Sequence, residues 1–144
     1  MKLLIHASLD FKQKMIEVKE SIESVCNIEV LLPDLNRYQY IRDEEGDDKT
    51  FTAIKHRLTN ENIKNIENSS ILLILNYTHR GIRNYIGGNS FLEMVVAYYL
   101  KMPVILVNPI PEGMPYTEEI KSMYPIIADG EKEIVYIIQR ILDS

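Results

Sequence analysis

The strongest constraint on the fold comes from three apolar runs that do not alternate with polar residues. They are KLLIHA from Lys2, ILLILNY from Ile71 and PVILVN from Pro103. Such runs are typical of strands that are buried on both faces of a parallel sheet. IEVLLP from Ile28 and YPIIAD from Tyr124 are shorter runs of the same kind. The sequence therefore predicts five strands.

Helical patterns lie between these runs. The spacing predicts helices over about Asp10 to Val25 and about Lys49 to Asn68, a third from Ser90, a short EEIKSM helix and a closing KEIVYIIQRILDS helix. The apolar stripes of the first two helices are Phe11, Met15, Val18, Ile22 and Val25, and then Phe51, Ile54, Leu58 and Ile66. Alternation of strands and helices predicts a three-layer α/β sandwich, flavodoxin-like or Rossmann-like, with a five-stranded and mostly parallel sheet.

The third helix, SFLEMVVAYYLK, is apolar nearly all round, and Glu93 is its only acidic residue. A helix with this pattern needs cover on most sides from the sheet, a neighbouring helix or a second subunit. The pattern therefore predicts a homodimer or a higher homo-oligomer.

Length and charge limit the classes of partner. A chain of 144 residues has the usual size of one domain, so residues 1–144 are expected to form a single domain. The net charge of −5 comes without a basic stripe, which argues against a nucleic-acid polymer as partner. A single cysteine, Cys26, and the absence of a signal-peptide pattern or of about 18 consecutive apolar residues favour a cytoplasmic protein without membrane contact.

In parallel α/β folds, ligands bind outside the carboxyl ends of the strands. Those ends are predicted at His6-Ala7-Ser8, Asn76-Tyr77 and Asn108-Pro109. Ser8, Asn76 and Asn108 are therefore candidate ligand-binding residues.

The segment GGNSFLE opens the third helix at the same edge of the sheet. Free backbone N–H groups at a helix start bind phosphate or carboxylate, and glycine permits a close approach. The candidate binding residues here are Gly87, Gly88, Asn89 and Ser90, to which Arg80 and Arg83 could add positive charge.

Two interpretations of Glu93 remain open at this point. Ser90 to Glu93 fits the S/T-x-x-E capping box, in which the serine and the glutamate each bond to the other's backbone N–H. The apolar neighbours of Glu93, however, predict at least partial desolvation, which raises the pKa of a carboxyl group and is common at functional sites.

Other constellations carry less information. His6, His56 and His79 have no metal-ligand spacing and are interpreted as unrelated surface or strand-end residues, so no metal is expected. The chain has no GxSxG or Walker A motif and no flavodoxin-type phosphate loop, so no cofactor is expected. The third strand ends in Asn76 and not in a phosphorylatable aspartate, which also disfavours a response regulator.

With these residues established, the chain resembles the nucleoside 2-deoxyribosyltransferase-like family, which includes deoxyribosyltransferases and 2-deoxynucleoside 5-monophosphate N-glycosidases. The resemblance rests on LLIHASLDF, NIKNIENSSILLILN, YIGGNSFLEMVVAYYLKMPVILV and the closing helix. The third stretch is the most specific, with a Gly-x-x-x-x-Glu element, a long apolar helix and a KxPV strand.

The resemblance implies a nucleoside or nucleoside monophosphate as ligand and Glu93 as the nucleophile, with Ser8 in the loop that lines the sugar and base pocket. A carboxylate beneath the anomeric carbon can trap an oxocarbenium-like transition state as a covalent glycosyl-enzyme. Family enzymes carry an aspartate on the second helix where this chain has Asn62. An asparagine can hydrogen-bond a base but cannot protonate it. Glu61 or the acidic loop RDEEGDD could supply that acid.

Three functions follow. The first is cleavage of an N-glycosidic bond, or transfer of the sugar, with Glu93 and Asn62 as catalytic residues. The second is a nucleotide-binding or sensing module that has lost the acid. The third is a purely structural role, with Glu93 in a helix cap and the third helix in a homodimer face.

Overall fold

The computed structural model describes residues 1–36 and 48–144, which contain five strands and five α-helices. The strands are β1 (Lys2–His6), β2 (Glu29–Leu31), β3 (Ile71–Ile74), β4 (Val104–Leu106) and β5 (Ile126–Ile127). The helices are α1 (Lys12–Val25), α2 (Asp48–Glu67), α3 (Gly88–Tyr99), α4 (Thr117–Ser122) and α5 (Glu131–Leu142). A short 3-10 helix, Leu9–Phe11, precedes α1. The acidic loop lies outside the described residues apart from Asp48.

All the strand pairs are parallel, and the strand order is β2-β1-β3-β4-β5. Leu4 of β1 pairs with Leu72 of β3, which in turn pairs with Val104 of β4. This confirms the predicted α/β sandwich of flavodoxin-like or Rossmann-like type. The sheet places the carboxyl ends of β1, β3 and β4 side by side.

Successive strand residues point to opposite faces, so each continuous apolar run contributes to two cores. Leu3, Ile5 and Leu73 pack with α1 and α5, through residues such as Met15 and Ile138. On the other face, Leu4, Leu72, Ile74 and Leu106 pack with Ile66, Met94, Ala97 and Ile120 from α2, α3 and α4. Side chains at alternate positions of β1 therefore point into different layers. The same alternation fixes the direction of each side chain near the carboxyl end of this strand.

Both predicted helical stripes are confirmed except at one end. Met15, Val18 and Ile22 are buried on α1, but Val25 is 65% exposed. Leu58 and Ile66 are buried on α2, while Phe51 is 46% exposed. The first stripe is therefore exposed at its C-terminal end and the second at its N-terminal end.

Helix α3 differs from its prediction in two respects. It begins at Gly88, two residues before Ser90, with Gly87 as the N-cap. It is also buried on one side only, because Leu92, Val95 and Tyr99 are exposed by 58%, 41% and 82%. These three residues, spaced by three and four, form an apolar face that points away from the sheet. No helix in the described residues is long and apolar enough to span a bilayer.

Candidate active site at the carboxyl ends of β1 and β3

Side chains from the ends of β3 and β4 lock those two strands together. The Asn76 side-chain amide donates to the carbonyl oxygens of Asn108 and Pro109 at 2.9 and 3.1 Å, and its oxygen accepts from the Asn108 N–H at 3.0 Å. The Asn108 amide donates to the Asn76 carbonyl oxygen at 3.2 Å. These bonds satisfy a fully buried amide and hold the strand ends in register. Substrate binding by Asn76 and Asn108 stays a prediction.

A buried group of three polar side chains connects the end of β1 with α3. His6 Nδ1 lies 2.9 Å from Ser90 Oγ and 3.1 Å from Glu93 Oε2. All three residues are at most 5% exposed. When Nδ1 carries a proton, it donates to the carboxylate, with the serine oxygen within hydrogen-bond distance of the same nitrogen. Glu93 is therefore a desolvated carboxylate held beside an imidazole.

This arrangement excludes the capping box. Ser90 is the third residue of α3 rather than its N-cap, and no side chain caps the helix start. The Ser90 hydroxyl instead contacts His6, which lies 84 positions away in the chain. The capping interpretation of Ser90 and Glu93 is wrong because the helix begins at Gly88, which places Ser90 inside its first turn rather than at the N-cap.

The interpretation of His6 as an unrelated strand-end residue is also wrong. His6 shares the parity of Leu4 in β1, so it points to the sheet face that α2 and α3 cover. Its partners on α3, Ser90 and Glu93, are three residues apart and so occupy one side of that helix. The strand alternation thus aims the imidazole at the buried side of α3.

A cavity opens beside this group. Its volume is about 160 Å³, close to the roughly 150 Å³ of cavities that accept a benzene ring. Five of the residues predicted to bind a ligand line it: Ser8, Gly87, Gly88, Asn89 and Ser90. Arg80, which was predicted to add positive charge here, also lines it, and His6, Phe11, His79 and Tyr85 are lining residues that the prediction did not assign to the site. His6 and Ser90 therefore connect the cavity with Glu93.

The wall opposite α3 comes from a tight hairpin after β3. His79 and Ile82 exchange backbone hydrogen bonds of 3.0 and 2.9 Å. The two residues between them, Arg80 and Gly81, have φ values of 52° and 75°, as a type I′ turn requires. A further bond of 3.1 Å from the Tyr85 N–H to the Tyr77 carbonyl closes the base of the hairpin. The hairpin thus presents His79 and Tyr85 to the cavity on a hydrogen-bonded backbone.

Aromatic rings form this wall. The His79 ring centroid lies 5.7 Å from that of Phe11 and 5.3 Å from that of Tyr85. His79 Nε2 also lies 3.4 Å from Asp10 Oδ2. A single aromatic ring at a ligand site can stack on a nucleobase.

The start of α3 forms the third side of the cavity. Open space surrounds the position where Gly88 would carry a Cβ, whereas at Gly87 a Cβ would lie 3.3 Å from the Tyr85 ring. Lys55 of α2 donates to the Asn89 side-chain oxygen at 3.4 Å. The free N–H groups of α3 and the Lys55 ammonium give this side a positive potential.

Asn62 is half-buried on α2, the helix that packs along α3. An amide at this position offers hydrogen bonds and no proton for transfer. Its predicted role in holding a base stays a prediction.

A second polar cluster supports the cavity from behind. The Tyr77 hydroxyl donates to Glu131 Oε1 at 2.5 Å, and Lys14 Nζ lies 3.0 Å from the same oxygen. Burial and the bond to Glu131 raise the pKa of Tyr77, and the same bond lowers the pKa of Glu131. Tyr77 packs edge to face on Phe11 with a centroid distance of 5.1 Å, so this cluster positions one ring of the cavity wall.

The sequence held a signal for one of the two histidines that line the cavity. His6 can be placed on the α3 side of the sheet by counting alternate positions along KLLIH. His79 gives no such signal, because its direction depends on the turn at Arg80 and Gly81.

No group of three or more histidine, cysteine, aspartate or glutamate side chains in residues 1–36 and 48–144 could hold a metal ion. No protein-family model matches the chain, and no curated protein shows significant sequence similarity to it.

Proposed function

We propose that this protein cleaves the N-glycosidic bond of a nucleoside or nucleoside monophosphate, with Glu93 as the nucleophile and water or a second sugar acceptor completing the reaction. The observation that carries the proposal is the buried Glu93 carboxylate, 3.1 Å from His6 Nδ1, behind a ring-sized cavity at the carboxyl ends of the strands. The sequence resemblance to nucleoside 2-deoxyribosyltransferase-like enzymes independently favours the same residue.

The chemistry matches what such a bond needs. The transition state resembles an oxocarbenium ion, which a carboxylate held against the anomeric carbon stabilises and then traps. Burial strengthens that attraction because little water screens it. His6 and Ser90 act as positioning residues, since His6 contacts the Glu93 carboxylate and Ser90 contacts the same imidazole nitrogen before a substrate arrives.

Purified protein incubated with a panel of nucleosides and monophosphates, with free base followed by chromatography, tests this proposal. We expect release of base by the wild type and a loss of about 10³-fold or more in Glu93→Ala, because removal of a nucleophile abolishes the covalent route. Glu93→Gln removes only the charge of the side chain. Glu20→Gln makes the same change at an exposed glutamate on α1 and serves as its matched control. Undiminished release by both Glu93 variants, each folded by circular dichroism, would overturn the assignment.

The second candidate is a nucleotide-binding or sensing module. The observation that favours it is Asn62, an amide where the resemblance expects an acid. This function predicts saturable binding of a nucleotide, measured by calorimetry, that survives Glu93→Gln and occurs without release of base.

We also propose that the apolar face of α3, formed by Leu92, Val95 and Tyr99, is the contact between two copies of the chain. The support is the exposure of these three side chains and their spacing by three and four, which forms one self-complementary stripe. A two-fold interface uses the same patch on both subunits. The described part of α3 brings no charged side chain to this stripe, so two copies meet without like-charge repulsion.

A further inference from the structure

We propose that His79, oriented by Asp10, is the general acid that protonates the departing base, in place of the acid that is missing at Asn62. This inference rests on the proposed function. Release of a purine or pyrimidine leaves negative charge on the base, and a positioned acid typically contributes about 10²- to 10⁴-fold to such a step. An N-glycosidase with asparagine at position 62 therefore needs a proton from another side chain.

The position of His79 fits the base rather than the sugar. His6 and Ser90 mark the end of the cavity nearest Glu93, where the anomeric carbon must lie for attack. The rings of Phe11 and Tyr85 beside His79 offer faces on which a flat base stacks. A base held against one of these two rings, with C1 of its sugar directed to Glu93, places one of its edges beside the His79 imidazole.

The orientation of the imidazole identifies the atom that donates. Nε2 lies 3.4 Å from Asp10 Oδ2, and we assign a proton to that nitrogen, which leaves Nδ1 for the ligand. Within the described part of the chain, Nδ1 of His79 has no hydrogen-bond partner. The His79 side chain is 12% exposed while Asp10 is 63% exposed, which gives the pair access to solvent for exchange of the proton.

The two steps balance. In the first, a Glu93 oxygen forms a bond to C1, the C1–N bond breaks with its electron pair going to the base, and the doubly protonated His79 gives its Nδ1 proton to the base and becomes neutral. In the second, a water oxygen attacks C1, the ester to Glu93 breaks and releases the carboxylate, and the neutral His79 takes the proton from water. The sum is one nucleoside and one water converted to free base and sugar.

Leaving groups that differ in their need for a proton provide the test. Nicotinamide N-glycosides carry a positive charge on the glycosidic nitrogen, so nicotinamide departs neutral without protonation. We expect His79→Gln to slow release of an ordinary purine or pyrimidine by about 10²- to 10⁴-fold and to leave release of nicotinamide from the glycoside of the same sugar unchanged. Glu93→Ala should abolish both reactions.

Two further variants complete the design. Asp10→Asn keeps the imidazole but removes its orienting charge, and should give a smaller loss that is again confined to the ordinary base. His56→Gln changes an exposed histidine on α2 and should alter neither reaction.

Each alternative outcome has its own pattern. Equal losses on both leaving groups in His79→Gln would show that His79 only stacks on the base, and would overturn the assignment of the acid while leaving Glu93 in place. Wild-type protein that releases neither leaving group would overturn the proposed function itself, and His79 with it.

Discussion

A single imidazole nitrogen, Nδ1 of His6, lies within hydrogen-bond distance of both Ser90 Oγ and Glu93 Oε2. A buried carboxylate without such polar contacts is costly, since loss of hydration must be offset by hydrogen bonds and opposite charge. His6 therefore contributes to the stability of the protein as well as to the geometry of the site.

At the residue scale, His6→Leu should lower the free energy of unfolding by about 1–3 kcal/mol at neutral pH, because leucine removes the imidazole contacts of two buried polar groups. Urea denaturation followed by circular dichroism measures this. His56→Leu, on the exposed surface of α2, should change stability by less than about 0.5 kcal/mol.

A double-mutant cycle that combines His6→Leu with Ser90→Ala tests the contact between these two residues directly. Because His6 and Ser90 touch, the two substitutions should be non-additive by about 0.5–3 kcal/mol. Strictly additive effects would contradict the contact, whatever the size of each single loss.

At the scale of elements, the Tyr77, Glu131 and Lys14 cluster joins the end of β3 to α1 and α5. It connects the two helices of one sheet face with the hairpin that carries His79 and Tyr85. Loss of the Glu131 charge should therefore weaken the docking of α5 and the support of the cavity wall.

The pH dependence of this cluster has a defined sign. The hydrogen bond from Tyr77 lowers the pKa of Glu131 in the folded state below its ordinary value of 4.5. The stabilisation that comes from the lowered pKa is complete above pH 4.5. It is lost as the pH falls through the lower pKa of the folded state, because Glu131 of the unfolded chain takes up its proton at a higher pH. Lys14 acts in the same direction.

We expect Glu131→Gln to be less stable than the wild type by about 1 kcal/mol at neutral pH, because the contacts with Tyr77 and Lys14 lose the negative charge. The loss is no larger because water screens part of the exposed carboxylate. The difference should shrink as the pH is lowered below 4.5. Urea titrations at several pH values measure it, with Glu119→Gln on the exposed surface of α4 as control. A difference that stays constant down to the lowest pH would contradict the ionic origin.

At the scale of the whole molecule, the exposed side of α3 lies directly behind the residues that contact His6. Leu92, Val95 and Tyr99 face outward while Glu93, Met94 and Ala97 face inward. Two-fold pairing on this stripe would bury the apolar face and restrain the helix that carries Glu93.

Leu92→Lys should therefore weaken self-association by about 100-fold or more, since a two-fold interface loses the burial of two leucines at about 1.5–3 kcal/mol each. Sedimentation velocity over a range of concentrations measures the change. Val25→Lys is the control, because Val25 is 65% exposed on α1, on the opposite face of the sheet. A wild-type protein that stays monomeric at all concentrations would contradict the proposed interface.

The sequence by itself determined the fold class and indicated the edge of the sheet at which the candidate cavity lies. Unbroken apolar runs such as ILLILN specify parallel strands, and the helical stripes between them specify layers, because these signals are local and repeat with the period of the element. The carboxyl ends of the strands follow from the same pattern, and Ser8, Gly88 and Asn89 were found there without the structure.

Only the tertiary structure decided which side chains meet. The partners of Glu93, the early start of α3 at Gly88 and the direction of His79 depend on strand register, on the packing of α3 and on a turn with two positive φ values. His6 and Ser90 are 84 positions apart, and no local pattern encodes a contact over that distance. Local periodicity shows which face of each element is buried, whereas the contacts within the site arise only when those faces pack together.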